Sequence, residues 1–198
     1  MSQQHVPFRV WVILLEALFL GAVPATGLQR PDGAPKSPAL DACALLTSSE
    51  VQRVQGEATQ DAKAGNDQSG ALLVRQCLFR TTTPIHSVSL AIALPNPAAS
   101  GDAISPRTFW QSKFHSPENE KEKRGESGEP EGSNPRPVPG IGDEAFWVGT
   151  SMTGALYVLK GNLFLRISAG GIRDEASRIE HSKTLAALAL KRLSDMRP

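Results

Sequence analysis

Ser87-Val88-Ser89-Leu90-Ala91-Ile92-Ala93-Leu94 alternates large apolar and small side chains with a period of two. Successive residues of a strand point to opposite faces, so Val88, Leu90, Ile92 and Leu94 share one face, and that face needs a core beneath it. Pro95-Asn96-Pro97 closes the strand, because proline has no N–H to give to a ladder. Working upstream, Ala71–Arg80 carries Leu72, Val74, Cys77 and Phe79 and predicts a second strand. Asp61–Gly70 is polar, contains glycine and shows no period, which predicts a loop. Before it, Thr47 and Glu50 form a T-x-x-E capping box within Ala44–Val54, so a helix should begin in earnest at Ser48 and stop at Gly56.

Downstream of the alternating strand, Ser105-Pro106 reads as an N-cap followed by proline in the first turn of a helix over Pro106–His115. Phe114 falls beneath Trp110 at i+4, whereas the adjacent Phe109 and Trp110 cannot point the same way. Pro117–Pro137 is rich in Glu, Lys, Ser, Gly and Pro and nearly free of apolar residues, which predicts a disordered surface insertion. Three strands are expected next, Glu144–Val148, Gly154–Lys160 and Leu163–Ser168, the last two joined by a Gly161-Asn162 turn. Gly170-Gly171 breaks the pattern. A final helix should cover Asp174–Leu193, with Ile179, Ala186, Ala189, Leu190 and Leu193 as its core stripe and Lys191 and Arg192 favourably placed near its C-terminus. The resulting order is α-β-β-α-β-β-β-α. Short turns make neighbouring strands antiparallel, so the expected fold is α+β, with helices on one face of an antiparallel sheet of about five strands.

Residues 1–27 read as an export signal. A short basic start precedes the apolar run from Val10 to Val23, and small residues at Ala22, Ala25 and Gly27 suit cleavage after Ala25 or Gly27. The run is short for a membrane span and contains Glu16, which argues against a stable one. Residues 28–40, with Pro31, Gly33, Pro35 and Pro38, form a flexible lead-in to a single domain at 41–195. Lys and Arg total 21 against 20 Asp and Glu. Such a balance offers no electrostatic footprint for nucleic acid and no polybasic patch for anionic lipid.

The chain has two cysteines, Cys43 and Cys77. In an exported chain a disulfide is the simplest reading, and in the chain-entropy model the loop it closes is worth about 4 kcal/mol. A metal pair would need further ligands at suitable spacing, and a redox pair is commonly a C-x-x-C; neither pattern surrounds these cysteines. Leu40-Asp41-Ala42-Cys43 has a faint likeness to a lipobox. The aspartate, and the distance from the apolar run, disfavour lipid anchoring at Cys43.

Asp41-x-Cys43-x-Leu45-Leu46-Thr47-x-x-Glu50-Val51, the strand cysteine Cys77 and Gly140-x-Gly142-Asp143-Glu144-Ala145 together resemble a group of uncharacterised bacterial secreted proteins and lipoproteins. The resemblance extends over most of residues 41–193. It implies an exported α+β domain with a disulfide and carries over no catalytic residue. The chain departs from the lipoprotein members by lacking a cysteine directly after the apolar run.

Few constellations suggest chemistry. Asp143-Glu144 is an acidic pair in a glycine-flanked turn; adjacent strand residues diverge, and Asp143 is expected to bond its own turn. A histidine within about 3.2 Å of one of these carboxylates, in an open cleft, would overturn a non-enzymatic reading. His86 at a strand start, His115 at a helix end and His181 on the polar side of the last helix are all expected to lie farther away. No G-x-S-x-G, P-loop or dinucleotide glycine motif occurs, so no catalytic residue, metal site or cofactor is assigned. Trp110, Phe146, Trp147 and Tyr157 are candidates for a ligand cleft between sheet and helix. The expected function is therefore a secreted or periplasmic binding or interaction module of the cell envelope. Its partner would be a small ligand or an envelope protein, with no nucleic acid and no stable membrane span. The alternatives are a hydrolase-type enzyme using Asp143 or Glu144, or a purely structural envelope domain. An exposed aromatic cleft would favour binding, and a closed aromatic core scaffolding.

Overall fold

The computed structural model describes residues 40–69, 72–97, 104–116, 134–150 and 152–196. The expected signal, nearly all of the lead-in and the insertion up to residue 133 lie outside the described residues. The elements are α1 (Ser48–Gln55), β1 (Thr59–Ser69), β2 (Leu72–Thr81), β3 (Val88–Pro95), α2 (Pro106–Phe114), β4 (Arg136–Pro137), β5 (Glu144–Gly149), β6 (Gly154–Lys160), β7 (Leu163–Ala169) and α3 (Glu175–Asp195), with short 3-10 turns at Ala42–Leu45 and Pro84–His86. The class is α+β. The strands form one sheet in the order β1-β2-β3-β7-β6-β5-β4, and each neighbouring pair is antiparallel.

The sheet has seven strands rather than about five, and both additions are edges. Thr59–Ser69, expected as a loop from Asp61 onward, is β1 and runs beside β2 from Thr59↔Thr81 to Ser69↔Leu72. Its side chains from Gln60 to Ala64 are exposed. An edge strand whose side chains face water, held by its ladder and by the Arg80–Asp61 pair, needs no apolar period, so its sequence carries no strand signal. At the other edge, Arg136 and Pro137 pair with Trp147 and Phe146, so the end of the predicted insertion is ordered. Proline is tolerated there because an edge residue need not donate to a neighbour.

Both faces of the sheet are covered, which corrects the expectation of helices on one face. The 3-10 turn, α1 and α3 close the first face over Cys77, Phe79, Leu90, Ile92, Trp147, Val158 and Ile167. α2 closes the second face with Trp110 and Phe114 over Ala93, Phe146, Leu159 and Phe164. Period two explains the division: Ile92 and Ala93, Phe146 and Trp147, and Val158 and Leu159 are adjacent in sequence and point to opposite layers. Several central strands are thus buried on both sides.

Local chemistry sets the helix ends. Thr47 and Glu50 form the reciprocal capping box of α1, and Gly56 ends it in the left-handed region at φ 75°. Ser105 Oγ accepts from Thr108 N at the start of α2, and Asp174 accepts from Ser177 N at the start of α3. The core stripe of α3 is Arg178, Ser182, Leu185, Ala186, Ala189 and Leu193. Ile179 and Leu190, expected at its centre, are only partly buried. Arg178 turns inward, where its Nη2 donates to the Thr150 carbonyl at 3.0 Å.

Candidate functional site

Cys43 and Cys77 form a disulfide across a sequence separation of 34. The bridge pins the Ala42–Leu45 turn to β2. Asp41 Oδ1 accepts from Cys43 N at 2.9 Å, which shapes the turn that presents the sulfur.

The four candidate cleft aromatics do not meet in one cleft. Trp110, Phe146 and Tyr157 lie on the α2 side, where Trp110 packs 5.9 Å from Phe146 and Phe114 packs 5.5 Å from Tyr157. Trp147 lies on the opposite face. Trp110 and Trp147 are both 0% exposed. Each indole N–H is satisfied by a carboxylate, Trp110 Nε1 by Glu144 Oε2 at 2.6 Å and Trp147 Nε1 by Glu175 Oε1 at 2.8 Å. Tyr157 is half-buried, its hydroxyl accepting from Arg166 Nε at 3.2 Å. Trp110, Phe146 and Trp147 are core, and Tyr157 packs at the edge of that core.

The Asp143-Glu144 corner departs from expectation twice. Asp143 does not bond its own turn. It accepts from Gly161 N at 2.7 Å and Lys160 Nζ at 2.9 Å, tying the start of β5 to the β6–β7 turn. The Lys160 ammonium, the Gly161 amide and the charge of Arg107 hold its carboxyl below the ordinary value. Glu144, expected to have no histidine nearby, meets His115 Nε2 at 2.9 Å through Oε1 and 3.0 Å through Oε2. The reason is the length of α2: its last turn reaches over β5, so the helix end that looked remote in sequence stands above Glu144. Both side chains are about one-third exposed. Glu144 thus joins a buried indole and a half-exposed imidazole, fastening α2 to the sheet. A hollow of about 350 Å³ beside them is walled by residues 137–145. Gly142, at φ 65°, makes its closest approach to Val158 and the Leu159 carbonyl, where a Cβ would overlap both.

The other two histidines serve elsewhere. His86 lies in the Pro84–His86 turn, and its Nδ1 pairs with Glu57 Oε2. Against the cost of desolvation, the Thr83 amide and the His86 ring hold the Glu57 carboxyl below its ordinary value. His181 is half-buried rather than on a solvated side.

The larger cavity went unnoticed in the sequence. It measures about 680 Å³ and opens where the Pro84–His86 turn, the start of β6, the end of β7 and the first turns of α3 converge. Its wall includes Ile85, Met152, Ile172, His86, Arg173 and Arg178. Three glycines shape it. A Cβ on Gly154 would overlap the Trp147 ring, one on Gly170 the Ile85 carbonyl, and one on Gly171 the His86 ring. Gln55 Nε2 donates to the carbonyls of His86 at 2.6 Å and Gly170 at 3.1 Å, clamping the two walls together. Gly170-Gly171 followed by Arg173 was the signal in the sequence, and it read only as a break between elements.

Among the described residues, no group of three or more His, Cys, Asp or Glu side chains is placed to hold a metal ion, and no helix is long and apolar enough to cross a membrane. No protein-family model matches the chain, and no curated protein matches it.

Proposed function

We propose that the chain is an exported, non-enzymatic binding module of the cell envelope whose ligand sits in the cavity between the Pro84–His86 turn, β6, β7 and α3. One observation carries this reading. A cavity of about 680 Å³, lined by Ile85, Met152 and Ile172 together with His86, Arg173 and Arg178, opens where the Pro84–His86 turn, β6, β7 and α3 converge; its volume is within the usual range for small-molecule sites. The disulfide and the resemblance to secreted and lipoprotein sequences support export. The closed aromatic core, which alone would favour scaffolding, moves the binding site away from Trp110 and Trp147 and leaves the cavity as the candidate. Thr153 lines the cavity and is exposed, so Thr153→Trp fills its mouth without disturbing the core. Native mass spectrometry of the two proteins, purified from an exporting host, should show a small molecule on the wild type and none on the variant. Equal occupancy, or none on either, refutes the reading.

A second reading, a hydrolase-type acid–base pair, has the 2.9 Å Glu144–His115 contact in its favour. It predicts turnover of p-nitrophenyl esters or glycosides that Glu144→Gln and His115→Gln each abolish. We favour binding, because Glu144 is already committed to the buried Trp110 indole, and neither Glu144 nor His115 lines the larger cavity.

A further inference from the structure

We propose that β1 is a pairing edge through which two copies of this chain join their sheets, antiparallel and about a two-fold axis at Gly65. The two edges of the sheet are built differently. β4 is two residues long and contains Pro137, and both a short edge strand and a proline discourage a further neighbour. β1 runs for 11 residues, Thr59–Ser69, without proline. Its irregularity falls at its start, between Thr59 and Asp61, and from Asp61↔Arg80 to Ser69↔Leu72 the ladder to β2 is regular. Among the described residues no strand lies on the outer side of β1. Alternate N–H and C=O groups of an edge strand point away from its neighbour, so β1 offers half a ladder to a second strand.

The charges of β1 choose both partner and register. In two identical antiparallel strands related by a two-fold axis, opposed residues must have equal parity, because the outward groups recur at every second residue. The axis therefore passes through a residue. Placed at Gly65, the midpoint of Asp61–Ser69, it uses the whole regular stretch. It sets Lys63 opposite Asp67 of the second copy and Asp67 opposite Lys63, two cross-strand pairs of opposite charge. Asp61 faces Ser69 in that register and keeps its own partner, Arg80. Gly65 brings no side chain to the axis, and even a Cβ there would meet only Gln76 Cβ, at 3.8 Å. Other registers fit less well. An axis at Ala64 sets Asp61 against Asp67, and one at Lys63 sets Lys63 against itself. An axis at Ala62 pairs Asp61 with Lys63 but runs the ladder through the irregular start of β1 and leaves Asn66–Ser69 unpaired. A lysine on an edge strand turns most strands away, and the strand carrying the matching aspartate is β1 itself. None of the residues lining the cavity belongs to β1, so this pairing is independent of the binding reading.

The test follows the oxidised protein by sedimentation equilibrium, with amide hydrogen exchange read by NMR at low and high concentration. The wild type should pass from monomer to dimer as its concentration rises, and exchange within Asp61–Ser69 should slow in the dimer. Lys63→Glu and Asp67→Lys each turn two pairs repulsive at once, so each should weaken the dimer about tenfold. An equimolar mixture of the two variants should dimerise about tenfold more tightly than either alone, because each supplies the charge that the other lacks. The double variant, Lys63→Glu with Asp67→Lys, should return to within about threefold of the wild type. A variant that merely misfolds would not be rescued in the mixture. A protein that stays monomeric up to millimolar concentration overturns the proposal. So does a dimer indifferent to both charge changes, or one that slows exchange only outside β1. Equal protection of β1 at every concentration would mean that its edge is covered within one chain, and overturns it too. Rescue by Asp61→Lys with Lys63→Glu, in place of the first pair, would move the axis to Ala62 and overturn the Gly65 register.

Discussion

Replacing Glu50 with glutamine should destabilise the protein at neutral pH and hardly at all near pH 2. Glu50 stands at the third position of α1, where its Oε2 accepts from Thr47 N at 2.7 Å. Arg192, in the last turn of α3, reaches the same carboxylate with Nη1 at 3.0 Å and Nη2 at 2.8 Å, and Nη1 also donates to the Leu45 carbonyl at 2.6 Å. One carboxylate thus caps α1 and docks α3, two elements 142 residues apart in sequence. The Arg192 fork is the largest cause, against an opposing cost of desolvation, that lowers the Glu50 carboxyl from 4.5 to about 2. At about 1.4 kcal/mol per pH unit, that gap corresponds to about 3 kcal/mol. Water around Arg192, 30% exposed, brings the expected value to about 2 kcal/mol. Glutamine still completes a capping box, so the variant removes the charge and spares most of the cap. The sign follows from the lowered value: the contribution is whole above about pH 4.5 and fades as the pH falls toward 2. Urea unfolding with the disulfide intact, at pH 7, 4.5, 3 and 2, gives the wild-type minus variant difference. It should fall from about 2 kcal/mol to under about 0.5 kcal/mol across that range. A penalty of the same size at pH 7 and pH 2 would refute the electrostatic account, and a penalty under about 0.5 kcal/mol at pH 7 would reduce the pair to an ordinary surface contact.

Three further outcomes follow from the same physics. Non-reducing peptide mapping should recover Cys43 and Cys77 in one linked peptide pair, and changing both to serine should cost about 2–4 kcal/mol in urea unfolding. Gly154→Ala should displace the Trp147 ring, whose atoms lie where the new methyl must go, and cost about 1–3 kcal/mol with a visible change in tryptophan emission; an unchanged spectrum and stability would mean the close approach is absent. Asp143→Asn should cost about 1 kcal/mol, because the amide keeps one acceptor for Gly161 N but gives up the charge that holds Lys160; since the Asp143 carboxyl is held below its ordinary value, the loss should be complete at pH 7 and shrink as the pH falls below about 4.

Elements that bury a face could be read in advance. Val88, Leu90 and Ile92 had to share a side, and the T-x-x-E box and Gly56 had to bound α1, since each rests on a local rule of period or capping. β1 could not be read, because an exposed edge strand is selected by the ladder it completes and not by its own side chains. α2 was found as a helix but assigned to the wrong layer. Ala93, Leu159 and Phe164 reveal a second buried face only when seen together, and Ala93 was read as lying on the face away from the core.

The candidate site divides the same way. Composition and two cysteines were enough to propose the Cys43–Cys77 bridge, an exported chain and an α+β domain, because redox chemistry and hydrophobic patterning are written locally. Only the tertiary structure could set His115 against Glu144, carry Arg192 to Glu50, or enclose a cavity with Gly170-Gly171, Met152, His86 and Arg178. Those groups come from segments far apart along the chain, and their meeting depends on where α2 and α3 settle on the sheet. That placement is decided by packing around Trp110, Trp147 and Leu185, and packing is a property of the assembled layers that no single stretch of sequence contains.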